Sequence, residues 1–266
     1  MKNENTNVKK TALITGASGG LGLSFVNLFA RDGYDIVLVA RNGSRLEEIK
    51  KDIEEKYNVK ATVVAVDLCS EDGADKVYAS TKEAGLKIDV LVNNAGFGDF
   101  GEFYKSDINK QIRMVDLNCI ALMHLCHLYI PDMLEQKSGN ILNVDSIAAF
   151  QAGPLMSVYY ATKAFVLSFS QALTRELKGT GVKVTALCPG PIRTNFDAAA
   201  DLGESGLFKN LKVWDPDTVA KFGYKNMKKG KSLCICGFLN KIIVFANRLA
   251  PRALVREMVY NLQKVQ

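Results

Sequence analysis

The run Thr11-Ala12-Leu13-Ile14-Thr15 passes without a break into Gly16-Ala17-Ser18-Gly19-Gly20-Leu21-Gly22. A helical pattern follows at once, with Phe25, Val26, Leu28, Phe29 and Ala30. Strand, glycine turn and helix in that order commit the chain to a parallel sheet with crossover helices, because the helix must return along the sheet face before the next strand. The turn also carries chemistry. Glycines let backbone N–H groups approach a pyrophosphate, and the helix N-terminus faces its charge. Ser18 and Leu21 lie inside the turn and join Gly16, Gly19, Gly20 and Gly22 as candidate phosphate contacts. The spacing fits either Gly16, Gly20 and Gly22 or Gly16, Gly19 and Gly22 as the working glycines.

The alternation continues to the far end. Asp35 to Ala40 reads as a second strand, followed by Arg41. An acidic residue at that strand end would bond a ribose 2′-hydroxyl. Ala40 cannot, whereas Arg41 can pair bidentately with a 2′-phosphate. That reading is preferred here over a solvated Arg at a helix start. Arg45 to Tyr57 is an amphipathic helix, and Ala61 to Val66 is a third strand ending in Asp67-Leu68. Asp67 faces an adenine edge or caps a turn. Asp72 to Ala84 is helical, and Ile88 to Val92 is a fourth strand running into Asn93-Asn94-Ala95-Gly96. Ile108 to Tyr129 is a long helix containing Asn118, closed by Pro131. Asn140 to Val144 is a fifth strand ending at Asp145-Ser146, and Val182 to Cys188 a sixth followed by Pro189-Gly190-Pro191-Ile192-Arg193-Thr194. Gly16, Arg41, Asp67, Asn93, Ser146 and Pro189 all fall at carboxyl ends of strands, where open α/β sheets bind their ligands.

Between the fifth and sixth strands, Tyr159 and Lys163 stand four apart at the start of a helix and share one face. A free Tyr titrates near 10, so it is a poor acid or base at neutral pH. An ammonium one turn away favours the phenolate. Lowering the phenol by about 3 units needs roughly 4 kcal/mol, which one Lys and a cationic cofactor ring together can supply. The plainer alternative is a Tyr and a Lys on a helix surface.

Composition closes several other routes. The net charge is +6, with no long basic run, so no nucleic-acid surface is expected. Six Cys sit mostly in apolar runs and read as free thiols of a cytoplasmic protein. No Cys or His spacing suits a metal, and His124 and His127 read as structural residues without a carboxylate partner. Residues 1–9 read as a flexible polar lead, not a signal peptide. No run of about eighteen apolar residues suggests a membrane span.

These residues resemble the classical short-chain dehydrogenase/reductase family over about residues 8 to 237. The resemblance rests on the Thr15 to Gly22 stretch, Asn93 to Gly96, Asn118, Ser146 with Tyr159 and Lys163, and Pro189-Gly190 with Thr194. It implies a Rossmann-type α/β fold, doubly wound, with a mostly parallel sheet of about seven strands. It implies Tyr159 as the general acid in reduction and base in oxidation, and Lys163 as the group that lowers its pKa and holds the nicotinamide ribose. Ser146 would bond the substrate oxygen, and Asn118 would keep a water in a relay to Lys163. Thr194 and the Ile192 backbone would hold the carboxamide. Asn94, Ala95, Gly96, Leu68, Pro189 and Gly190 would line the NADP(H) site. Asp145 departs from the pattern, which usually has a small residue there.

The expected protein is an NADP(H)-dependent oxidoreductase interconverting a ketone and a secondary alcohol, with a bulky apolar substrate such as a hydroxysteroid. Phe97, Phe100, Ala148-Ala149-Phe150, Phe196, Leu202, Leu207 and Phe208 are expected to line its pocket. A 3-oxoacyl thioester reductase and a non-catalytic NADP-sensing protein are the alternatives. Residues 10–237 form one catalytic domain with a lid at 195–214 and Leu233 to Cys236 as the last strand. Residues 238–266 form a helical extension, basic and apolar on one face. Packing of that face over the lid or a partner subunit is preferred to a peripheral membrane contact. A homodimer or homotetramer is expected.

Overall fold

The computed structural model describes residues 9–193 and 213–264. Seven strands form one sheet in the order β3-β2-β1-β4-β5-β6-β7: β1 Thr11–Thr15, β2 Asp35–Ala40, β3 Ala61–Ala65, β4 Ile88–Asn93, β5 Gly139–Val144, β6 Val182–Cys188 and β7 Leu233–Ile235. Every pairing is parallel, so the sheet is wholly rather than mostly parallel. The order reverses between β1 and β4, which opens a crevice beyond the carboxyl ends of those two strands.

Helices cover both faces: α1 Gly20–Arg31, α2 Gly43–Tyr57, α3 Gly73–Glu83, α4 Ile108–Glu135, α5 Ser157–Glu176 and α6 Pro216–Lys228. The strands show why both faces must be covered. Ala12, Ile14, Ile36 and Leu38 point to one side with Phe25 and Phe29 of α1, Leu46 of α2 and Tyr224 of α6. Leu13, Val37 and Val39, one residue out of phase, point to the other with Val77 of α3, Tyr129 of α4 and Val166 of α5. Period-two alternation with both sets apolar is the mark of a buried parallel sheet. Each such aliphatic side chain contributes about 1.5–3 kcal/mol by leaving water.

Three details differ from the sequence reading. First, α4 does not stop at Pro131 but runs through it to Glu135. Pro131 is exposed, so the carbonyl it leaves without a donor is open to water. Second, a π-helical turn, Asp116–Ala121, interrupts α4 at Asn118. Third, His124 has a carboxylate partner after all, with its Nε2 3.4 Å from Asp75 Oδ1 on α3. At 28 residues α4 is long and apolar enough to cross a membrane, but Leu122, Leu125, Cys126, Tyr129 and Met133 are buried in the core on the sheet.

Beyond β7, α7 Phe238–Leu249 and α8 Arg252–Gln263 form the expected extension. The inner side of this pair turns to the crevice. Asn247 Nδ2 donates to Gln151 Oε1 at 2.9 Å, and Gln263 Nε2 donates to the Tyr160 hydroxyl at 2.7 Å. The outer ridge of α7, Phe238, Leu239, Ile242, Phe245 and Leu249, is exposed. The expected lid and the residues Thr194, Phe196, Leu202, Leu207 and Phe208 lie outside the described residues, apart from 213–214 of the lid, as does the polar lead up to residue 8.

Candidate active site

The glycine turn is built for close approach. Gly16 (φ +67°) and Gly20 (φ +52°) occupy the left-handed region. A Cβ at Gly22 would sit 2.0 Å from the Gly16 carbonyl oxygen, whereas one at Gly19 would meet nothing within 4 Å. The working spacing is therefore Gly16, Gly20 and Gly22. Thr15 and Asn94 fasten this turn to the end of β4. Thr15 Oγ1 accepts from the Asn94 and Ala95 N–H groups at 3.0 and 2.9 Å, and Asn94 Nδ2 donates to Thr15 O at 2.9 Å. Asn93 points the other way, into the core, donating to Asn143 Oδ1 at 2.9 Å. It is a sheet residue, not a ligand contact.

A single cavity of about 900 Å³ runs from this turn across the ends of β1, β4 and β5. Ser18, Gly19, Gly20 and Leu21 line one end, with Arg41 beside the N-terminus of α2. Asp67 lies there too, but its carboxylate is spoken for. Oδ1 accepts from Cys69 N at 3.0 Å, and Oδ2 pairs with Arg113 Nη2 at 2.9 Å. Burial raises this carboxyl, yet the Arg113 and Cys69 bonds outweigh burial and leave it below the usual carboxylate range. Asp67 thus caps its turn, and Arg113, which sequence reasoning missed, brings a second guanidinium to the lining beside Arg41. A cradle that a single Cβ would fill, with a free-standing Arg at the adjacent strand end, fits a dinucleotide with a 2′-phosphate.

At the other end stand Ser146, Tyr159 and Lys163. Ser146 Oγ accepts from Ala148 N at 3.1 Å, which caps the short turn Ile147–Phe150 and fixes the hydroxyl. The Tyr159 hydroxyl is hydrogen-bonded to Ser146. Lys163 is 7% exposed, and its Nζ donates to Val144 O at 3.0 Å, 5.7 Å from the Tyr159 ring centroid. In the protein by itself the phenol lies above its ordinary value, so the acidification expected from Lys163 and a cationic cofactor ring together is not achieved by Lys163 alone. Burial raises the Tyr159 phenol, the Ser146 bond lowers it in part, and Asp145 raises it further. Burial also lowers Lys163, weakening the field it can exert. Tyr160, the neighbour, is engaged by Gln263 and is not a second candidate acid.

Asn118 is 2% exposed and does not line the cavity. Its Oδ1 accepts from Phe97 N at 3.1 Å, and its Nδ2 donates to Phe97 O at 2.9 Å and Thr162 Oγ1 at 3.1 Å. The side chain locks the loop after β4 onto α5, so a water relay through this residue would have to use its backbone. Leu68, Ala95, Gly96, Pro189, Gly190 and Ile192 all line the cavity. Of the expected pocket aromatics, Phe97 lines it with Ala148. Phe100 packs behind Ala148 and Met156. Ala149 and Phe150 turn away to pack on Leu167, Ala186 and Leu233. The roof comes instead from Ile243 on α7 and Val255, Met258, Val259 and Leu262 on α8.

A family model described as short chain dehydrogenase matches residues 10–204. Over 189 residues the chain is 37% identical to the very-long-chain 3-oxoacyl-CoA reductase of Bos taurus, a match covering 70% of this chain and 60% of that protein. The match therefore spans about 60% of that relative's length. The solved structure of a short-chain dehydrogenase from Sphingobium yanoikuyae in complex with NADPH superposes with a TM-score of 0.82 at 30% identity, covering 92% of this chain and 95% of that one. A 7β-hydroxysteroid dehydrogenase, solved to explain its stereoselectivity, gives a TM-score of 0.84 at 25% identity, covering 94% and 96%. With the wholly parallel sheet and the Ser146, Tyr159 and Lys163 cluster in one cavity, the chain belongs to the short-chain dehydrogenase family.

Proposed function

We propose that this protein is an NADP(H)-dependent oxidoreductase that interconverts a bulky apolar ketone and its secondary alcohol, with a steroid-like carbon skeleton as the preferred substrate class. The observation that carries this reading is the continuity of the cavity, from the glycine cradle and Arg41, past Ser146 and Tyr159, to an aliphatic roof on α7 and α8. The bound cofactor supplies or accepts the hydride. The protein's own residues do the rest. Tyr159 gives its proton to the carbonyl oxygen in reduction and takes it back in oxidation. Ser146 bonds the same oxygen and stabilises the negative charge that develops on it. Lys163, held by Val144 O, keeps positive charge below the phenol and orients the ribose hydroxyls. Arg41 and the N-terminus of α2 take the 2′-phosphate. The NADPH-bound and hydroxysteroid-dehydrogenase neighbours support the assignment of cofactor and substrate class.

A 3-oxoacyl thioester is the second reading, favoured by the 37% identity to a very-long-chain 3-oxoacyl-CoA reductase. A non-catalytic sensor of NADP(H) is a third, and the intact Tyr159–Lys163 pair speaks against it. NADPH oxidation measured against hydroxysteroid ketones, bile-acid ketones and acyl thioesters separates the three, since each reading gives turnover on a different subset. We further propose a homodimer or homotetramer in the cytoplasm. Ile108, Ile112, Val115, Ile120 and Met123 on α4 and Phe165 on α5 form exposed apolar surface on adjacent helices, which self-association would bury. Light scattering in solution gives the oligomeric state. The ridge of α7 is assigned to a partner subunit, and salt-sensitive co-sedimentation with anionic vesicles would reassign it to lipid.

A further inference from the structure

Among the described residues, Asp145 is the one acidic residue in the catalytic half of the cavity, and the mechanism above leaves it unused. It is 3% exposed. Its position is fixed by the sheet, since Asp145 N donates to Leu187 O at 2.8 Å. The carboxylate is served by the weak thiol donor of Cys188, with Sγ 3.6 Å from Oδ2, and by the Ser146 backbone N–H, and Oδ1 is buried with no hydrogen-bond partner of its own. A buried carboxylate served by one thiol and one backbone N–H, with an oxygen left over, is poorly solvated, and its charge is felt by whatever lies near. The groups that face it are few. From α5 come Lys163 and Tyr159, from β6 comes Cys188, and Ser146 is its chain neighbour. Behind them, Cys234 and Cys236 act on Cys188, and Cys119 of α4 acts on Lys163. All four thiols are held up by burial and remain neutral, so the charges that count are Asp145 and Lys163.

We propose that Asp145 is a positioning residue that sets the proton balance of the Tyr159–Lys163 pair, its carboxylate keeping the proton on Tyr159 and the charge on Lys163. The inference rests on Tyr159 being the proton donor. An anion beside a phenol opposes the phenolate, and an anion beside an ammonium favours the charged form. Both directions are present: Asp145 raises Tyr159, and it raises Lys163 against the lowering by burial. Asp145 itself is raised by burial to about 7, so its charge comes and goes in the working range of pH. With Asp145 ionised, Tyr159 retains a proton to give at higher pH, and ketone reduction persists there. Alcohol oxidation, which needs the phenolate to take the proton, starts only at higher pH. A small neutral residue in this place, the family's usual choice, would let both limbs fall at lower pH.

The test compares wild type, Asp145→Asn and Asp145→Ser on an alcohol–ketone pair turned over by the wild type. kcat/KM is followed against pH in both directions. Both variants should move the rising limb of oxidation and the falling limb of reduction together to lower pH by about one unit or more. Below the limb, that raises oxidation by about tenfold. A purely structural role would change kcat and leave the limbs in place, so coincident limbs overturn the proposal. An infrared titration of the protein gives a readout without turnover. A protonated-carboxyl C=O band should titrate near neutrality in wild type and vanish in Asp145→Asn. If both variants fail to fold, the wild-type titration decides, because carboxyl bands confined to the ordinary acidic range would overturn the proposal. If wild type reduces no ketone, the functional reading fails, and the infrared titration still judges Asp145 separately.

Discussion

Replacing Gly22 with Ala tests the cradle most directly. The new Cβ would sit 2.0 Å from Gly16 O and 2.7 Å from Asn94 Nδ2, where ordinary contact begins near 3.4 Å. Gly16 O is backbone, so relief requires the first turn of α1 and the glycine loop to part by about 1 Å in a closely packed layer. A shift of that size lengthens the 2.9 Å bond from Asn94 Nδ2 to Thr15 O beyond hydrogen-bonding range. Overpacking of this kind costs about 1–3 kcal/mol, offset by up to about 1 kcal/mol because Ala is the better helix former. The melting temperature should fall by a few degrees, at about 2–4 °C per kcal/mol for a chain of this size. NADPH affinity should fall much further, because the displaced backbone is the phosphate-binding surface itself. Gly19→Ala is the internal control. Its backbone is extended (φ −177°) and open space surrounds its Cβ, so stability and NADPH affinity should change little. Differential scanning fluorimetry with and without NADPH, and fluorescence titration of NADPH, read both effects. If Gly19→Ala proves the more damaging of the two, the assignment of Gly16, Gly20 and Gly22 as the working glycines is wrong.

Three further outcomes follow from the same geometry. Tyr159→Phe should lower turnover by about 10²-fold to 10⁴-fold and leave NADPH binding intact, as read by steady-state rates and fluorescence titration; near wild-type rates would remove Tyr159 from the mechanism. Arg41→Ala should weaken NADPH by about tenfold to 150-fold, the worth of a charge-assisted contact of about 1.5–3 kcal/mol, with little effect on NADH; equal losses for both cofactors would refute the phosphate role. Asp145→Asn should stabilise the fold at alkaline pH. Burial raises the Asp145 carboxyl from 3.8 to about 7, so the stability present with Asp145 protonated is lost as pH rises through 7. The variant escapes that loss, and its advantage should grow between about pH 4 and pH 8 to at most about 4 kcal/mol. Urea melts at the two ends of that range measure it, and a constant gap between variant and wild type contradicts the sign.

The parts of this protein that the sequence discloses are those where one residue's identity settles its place. Continuous apolar, β-branched runs disclosed the strands, because a parallel sheet covered on both faces buries both phases of each strand. Tyr159 and Lys163 were legible because helical spacing alone puts them together. What escaped depends on partners far along the chain. Arg113 reaches Asp67 from another element, and nothing local to either residue announces the pair. Asn118 gave no sign that its amide would be used up by the Phe97 backbone and Thr162. The π turn that carries it and the passage of α4 through Pro131 are settled by tertiary packing and solvent exposure, not by propensity. The burial that raises the Tyr159 phenol in the protein by itself escaped for the same reason, since it comes from elements packed around the residue and not from its helix. Ala149 and Phe150 face the core because the short turn after Ser146 rotates them away from the cavity.

The roof over the cavity is held far more lightly than the walls. Only Asn240 on α7, and Val255 and Gln263 on α8, are buried, while seven residues of α1 are. A segment with so few buried anchors opens at a free energy well below that of global unfolding. A ligand that must enter beneath it binds only the open fraction, and its apparent dissociation constant is the intrinsic one divided by that fraction. Where entry is from beneath the tail, its opening equilibrium would enter the KM of that ligand. Mutations on α8 that never touch the ligand can then raise apparent affinity by loosening the roof, or slow turnover by tightening it.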